Sequence, residues 1–174
     1  VLALQPLFAT YYYASGASIF DFLVSNSDPA YFDTYLLPLL STRSLRLYAA
    51  EECLGRIAKT SVVIANPLSM RFLNVCNLEA RNCGKCNKCI RTLLALDALG
   101  AVEQFGEVFD LVSYKNLRDN HLVYHYKHYL KKNPSHLDLH PILKTHLKIT
   151  HRARGRIQYL RGRIGILTRK ITAY

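Results

Sequence analysis

Tryptophan is missing from this 174-residue chain, and methionine occurs once. No apolar run approaches the roughly 20 residues that a membrane-spanning helix needs. Internal repeats and low-complexity tracts are missing as well, which excludes solenoid and disordered architectures. Acidic side chains are scarce in one part only. Residues 1–110 carry nine Lys+Arg against ten Asp+Glu, whereas residues 111–174 carry fourteen against two. The overall charge of +11 therefore describes a near-neutral body with a basic tail, and all seven histidines lie in that tail. Half the residues are apolar, enough for one domain with a core or a smaller domain plus an appendage. The apolar opening VLALQPLFA lacks a basic flank, so it does not read as a secretory signal.

What is there alternates as an α/β protein does. LALQPLFA has the pattern of a helix end, and TYYYAS that of a short buried strand closed by Gly16. The segment SNSDPAYFDTYLLPLLST, with two prolines, reads as a long ordered loop. LRLYAAE is the next strand. ECLGRIAKTSVVIAN has apolar residues at helical spacing and is followed by Pro67. IRTLLALDALG is apolar nearly all round and stops at Gly100, and AVEQFGEVF is a further short helix. From Lys115 the pattern is helical and is broken by Pro134, LDLHPILKTHLKI forms a second unit, and HRARGRIQYLRGRIGILTRK closes the chain. The composition shift places a division near 110–115.

Four of the five cysteines fall within fourteen residues, as Cys76-x6-Cys83-x2-Cys86-x2-Cys89. Each CxxC turn sets two sulfurs on one side of a tight loop, within reach of one tetrahedral ion at about 2.3 Å. Gly84 is expected to let the backbone turn where a Cβ would crowd that ion. Lys85, Lys88 and Arg91 lie among the cysteines and would lower the thiol pKa values, and Cys89 opens the following helix, whose dipole favours a thiolate. A structural zinc ion is the expectation, because four ligands leave no position for water or substrate. An iron–sulfur cluster and disulfides are the competing readings; disulfides suit secreted chains, and a cytoplasmic location is expected here. Cys53 is expected to be a buried small apolar residue.

These cysteines, with NCGKCNKCIRTLLALDALG and LLPLLST…LRLYAAEECLGRIAKTSVV, resemble the C-terminal portion of the 7-cyano-7-deazaguanine synthase (ExsB) family and its relatives. Those proteins are PP-loop ATP pyrophosphatases with an adenine-nucleotide α-hydrolase-like fold. The resemblance covers roughly residues 10–100, and the cysteines are its specific part. It implies an α/β fold in which residues 1–110 are the distal part of a PP-loop-like domain carrying structural zinc, and residues 111–174 a mainly helical basic extension. It also implies an ATP-dependent ligase or synthase that adenylates a small substrate, heterocycles being among the candidates. The family's SGGxDS phosphate loop is missing: ASGAS at Ala14–Ser18 has one glycine and no aspartate. The chain, which starts at Val1, is therefore expected to be the distal half of such an enzyme, partnered by the absent ATP-binding half and inactive alone.

Arg56 and Lys59, three apart on a helix, would steady phosphate or carboxylate charge, or else form an ordinary solvated face. Ser15 and Gly16 would line a substrate crevice beyond a strand end, or merely close a turn, and Ser41 and Thr42 carry the same two readings. No catalytic residue is assigned. In the tail, His121, His125 and His128 share a helical face and are better read as packed or solvated than as a second metal site. Ile157, Leu160, Ile164 and Leu167 recur at helical spacing opposite an Arg-rich face, with Gly155, Gly162 and Gly165 weakening the helix. Such a helix docks on its own domain, contacts RNA phosphates, or lies on an anionic membrane. The alternative to an enzyme fragment is thus a zinc-stabilised module binding RNA or an anionic surface. A sulfur-transfer enzyme acting on tRNA is a third class, and homodimerisation fits any of them.

Overall fold

Aromatic and β-branched side chains favour extended backbone, and TYYYA forms strand β1 (Thr10–Ala14). It pairs in parallel with β2 (Arg46–Ala50), in a register from Thr10 opposite Arg46 to Ala14 opposite Ala50. Tyr12 and Tyr48, opposite each other, stack with ring centroids 5.6 Å apart. The computed structural model describes residues 2–16, 18–21 and 32–171. The chain divides into two units, 1–59 and 60–174.

In the first unit the crossover between the parallel strands contains α1 (Asp33–Leu39). The long loop expected there is therefore helical in its later part, and residues 22–31 lie outside the described residues. Pro38 misleads as a breaker because it sits in the last turn, where its missing N–H forfeits a single bond. TYYYAS is a strand, but not a buried one: all five β1 residues are exposed, and Leu47 alone of β2 is buried. Parallel sheets normally bury both faces, whereas this pair leaves β1 and part of β2 exposed. The opening residues make a single tight turn at Leu2–Leu4 rather than a helix end. Cys53, expected to be buried, is exposed in the turn after β2, where Glu51 takes a φ of 56°. The acids at 51 and 52 stand in that turn, outside the helix that follows.

That helix is α2 (Arg56–Ala65); its first four residues belong to the first unit and the rest to the second. After α3 (Ser69–Phe72) the cysteine loop leads into α4 (Asn87–Ala98). As its apolar circumference requires, α4 buries Cys89, Ile90, Arg91, Leu93, Leu94, Ala95 and Leu96. It ends at Gly100 with a φ of 71°, the Ala101 N–H reaching Leu96 O at 2.8 Å and the Gly100 N–H reaching Asp97 O at 3.0 Å. Those two bonds are a Schellman stop, which needs a residue tolerant of left-handed backbone. A 3-10 turn over Val102–Phe105 replaces the expected short helix and buries Phe105 in the core.

Residues 110–115, where the composition shifts, lie inside the second unit. Asp110 accepts from the Ser113 N–H at 3.0 Å and caps α5 (Leu111–Leu130), which starts four residues earlier than its sequence pattern. The Ser113 hydroxyl and N–H hold the Asp110 carboxyl below its usual range. Two short helices, α6 (Pro134–Leu137) and α7 (His140–Leu143), then turn the chain into α8 (Ile149–Ile171), which packs along α5. Gly155 is the point of closest approach. A Cβ there would stand 2.9 Å from the Tyr126 ring and 3.3 Å from Val123 O. This glycine is a packing requirement as well as a weak helix former. No helix among the described residues is long and apolar enough to cross a membrane.

Histidines fill the space between α5, α6 and α7. His125 and His136 are fully buried, with Nδ1 atoms 3.1 Å apart, and His125 Nε2 lies 3.3 Å from His140 Nδ1. His136 Nε2 lies 3.3 Å from Asn87 Oδ1, an acceptor, so that nitrogen carries the proton. The remaining protons follow: His125 donates to His136 through Nδ1, and His140 donates to His125 through Nδ1. Each ring in this row is then a neutral imidazole. Burial, then the neighbouring His140 and His128, push the His125 pKa down to about 3. His121 is buried and His128 half-buried, also with lowered pKa values through burial. On α8, His151 accepts the Lys148 N–H at 3.2 Å and meets Asp119 at 3.2 Å.

Two measurements test this packing. Gly155→Ala is expected to destabilise the chain by about 1–3 kcal/mol through overpacking. Gly162→Ala, with no atom within 4 Å of the added carbon, should stabilise it by roughly 1 kcal/mol. Urea midpoints moving in the same direction for both would contradict the assigned contact. Separately, because the folded pKa of His125 lies below its unfolded value, its neutral form contributes stability above about pH 6.5. That contribution is lost as pH falls toward about 3, at no more than about 1.4 kcal/mol per pH unit. Unfolding free energy should fall less steeply between pH 7 and 5 in His125→Gln than in the parent chain; parallel slopes would remove the assignment.

Candidate metal centre

A loop with few backbone bonds of its own needs side chains to shape it, and two asparagines supply them. Asn82 donates to Leu73 O at 2.8 Å and Val108 O at 3.0 Å and accepts the Val75 N–H at 2.9 Å. Asn74 accepts the Cys76 N–H at 3.1 Å and donates to Ala80 O at 2.9 Å. Gly84 turns the chain with a φ of 67°. A Cβ there would meet no protein atom within 4 Å, so the requirement is the left-handed backbone rather than the expected crowding.

The loop gathers Cys76, Cys83, Cys86 and Cys89, whose sulfurs all lie within 4.8 Å of one another. Cys76 and Cys86 are 4.0 Å apart, as are Cys83 and Cys89. Four sulfurs about 2.3 Å from one ion stand about 3.8 Å apart, so the quartet is close to a tetrahedral ligand shell. Backbone N–H groups point at the sulfurs: Glu79 to Cys76 at 3.4 Å, Cys86 to Cys83 at 3.3 Å and Cys89 to Cys86 at 3.4 Å. Cys86 is the N-cap of α4, and Cys89 lies in its first turn. Cys86 and Cys89 also belong to the apolar core with Leu93, Leu96, Phe105 and Phe109, against which Cys76 and Cys83 pack.

Charge follows from this geometry. The N–H of Cys83, then that of Leu78, lower the Cys76 pKa to about 6. Burial opposes ionisation of Cys86, yet the Cys89 N–H leaves its pKa lowered. Burial and the adjacent Cys86 push Cys89 up. A divalent cation at the centre of the four sulfurs would favour the thiolate form of each. The donor set fits a metal ion, and with four protein ligands it fits one held for structure. Of the expected basic neighbours, Lys85 and Lys88 are exposed, and Arg91 is buried within α4.

The other candidates lie in or at the edge of the first unit. Ser15 is buried just past β1, and Lys59 donates to its carbonyl at 2.9 Å. Gly16 is exposed beside it, and Arg56 is half-buried. Ser41 and Thr42 accept the Leu47 and Leu45 N–H groups at 3.0 and 3.1 Å, tying the end of α1 to β2. Asn74, Asn82 and the buried His136 were not singled out from sequence. For the asparagines a signal existed, since a short amide beside a cysteine readily bonds nearby backbone. No protein-family model, no curated protein and no solved structure matches this chain.

Cys83→Ser and Cys86→Ser should each lose bound metal and reduce helicity, because assembly of the site and folding are coupled. Asn82→Ala should keep the metal yet lower stability by about 1–3 kcal/mol, the cost of leaving buried partners unsatisfied. Metal stoichiometry and thermal melts check both, and an Asn82→Ala chain melting with the parent would show the clamp to be idle.

Proposed function

We propose that the chain is the zinc-bearing distal part of an ATP-dependent ligase or synthase of the PP-loop, ExsB-like kind. The observation that carries this reading is the cysteine quartet within 4.8 Å, leading directly into the core helix α4. Zinc suits four thiolates around a single ion and needs no redox partner. Its role is structural, so catalysis belongs to other residues. The parallel pair, with all five β1 residues and two of the five β2 residues exposed, supports a larger sheet to which an ATP-binding segment contributes further strands.

In this reading the substrate lies beyond the carboxyl ends of the strands, where ligands of open α/β sheets sit. Ser15 and Lys59 are at that end of β1, and the Lys59 ammonium brings positive charge there. An acid or carbonyl oxygen of a small substrate attacks the α-phosphorus of ATP and pyrophosphate leaves. A nitrogen nucleophile then displaces AMP. The phosphate cradle for the first step lies in the partner segment, as this chain has no SGGxDS sequence.

The test is made on the complete reading frame and on this chain side by side. One zinc per chain is expected in both, with pyrophosphate released from ATP by the complete protein alone. A metal-free chain, or a complete protein that binds zinc without consuming ATP, would remove the ligase reading.

A further inference from the structure

The apolar stripe read from the tail sequence is not the face with which α8 docks. Gly155 faces α5, against Tyr126. Counting about 100° per residue from Gly155, Ile149, Ala153, Ile157, Leu160 and Ile164 fall at about 120–200°, on the far side of the helix. They are exposed accordingly: Ile149 by 85%, Ile157 by 49%, Leu160 by 55% and Ile164 by 60%. Leu167 continues the pattern, but its side chain lies outside the described ones.

Cations border the stripe on both sides. By the same count Arg152, Arg156 and Arg163 fall at about 60–100°, and Arg154 and Arg161 at about 240–260°. Arg156, Arg161 and Arg163 are exposed, while Arg152 and Arg154 are partly engaged with Lys144 O and Asn120. No Asp or Glu follows Asp138 in the chain. The helix is therefore a strip of isoleucine and leucine between two rows of arginine, with no acid of its own.

We propose that this face of α8 is a docking surface for an anionic lipid bilayer. Charge complementarity selects the occupant. A bilayer interface takes apolar side chains at the acyl boundary and guanidinium groups at the phosphates directly above, and long Arg stems reach between the two levels. RNA would use the arginines and leave the isoleucines in water. A second copy meeting stripe to stripe would bring like-charged rows together. This inference does not rest on the ligase reading.

Vesicle flotation of the full chain tests it, using phosphatidylcholine alone and phosphatidylcholine mixed with phosphatidylglycerol. The expected result is flotation with the anionic vesicles only. Ile157→Gln with Leu160→Gln should reduce binding by about tenfold or more, and Arg156→Gln with Arg163→Gln should weaken it and flatten its salt dependence. All four positions are exposed, so helicity and metal content should match the parent and certify folding. Equal flotation with both vesicle types, none with either, or flotation of the apolar variant at the parental level would overturn the proposal. So would a chain that ignores vesicles but binds RNA, or one whose dimer the apolar variant abolishes.

Discussion

Four ionised thiols within 4.8 Å of one another are not self-consistent without a cation among them. Two unit charges 4 Å apart repel by about 4 kcal/mol at an effective dielectric of 20, and two of the sulfur pairs stand at 4.0 Å. Backbone N–H groups offset part of that repulsion and lower the Cys76 and Cys86 pKa values, whereas burial raises that of Cys89. A positive ion held among the four sulfurs would offset the rest.

What depends on that place extends well beyond the loop. Cys86 begins α4, and Cys89 is one of the fully buried core side chains. Leu93 and Leu96, further along the same helix, carry the core to Phe105, and Tyr114 ties α5 to it by donating to Asp97 at 2.7 Å. Asn82 joins both sides of the loop to Val108. With the quartet unmade, α4 would lose its cap and the core one of its walls. Within the first unit, cohesion comes from the register of β1 with β2 and from the turns around Ser15 and Ser41.

The cysteine spacing was legible because metal chemistry constrains both residue type and separation. α4 was legible because an apolar circumference and a following glycine point to the same helix. Other features were hidden for identifiable reasons. Pro38 looks like a breaker unless its place in the last turn is known, and the exposure of TYYYA cannot be told from its composition, since a buried strand has the same letters. Cys53 followed the general burial preference of its type, but the left-handed Glu51 turns it out. Gly155 read as a weakness of α8 because the helix it must clear lies thirty residues earlier in the chain. The exposure of Ile157 and Leu160 depends on which face meets α5, and that is a property of packing rather than of period.

The row of imidazoles from His140 through His125 to His136 has a direction. Each ring gives its hydrogen to the next, and the last gives its own to the Asn87 amide oxygen. An added hydrogen ion taken up at the second nitrogen of His140 would be handed inward by successive shifts. The amide at the inner end has no basic site to receive it, so the file is a cul-de-sac. Charge arriving there would rest beside the positive end of α4, which drives it back toward the water side. The row therefore holds three rings in register between the helices and carries nothing onward to the cysteine loop.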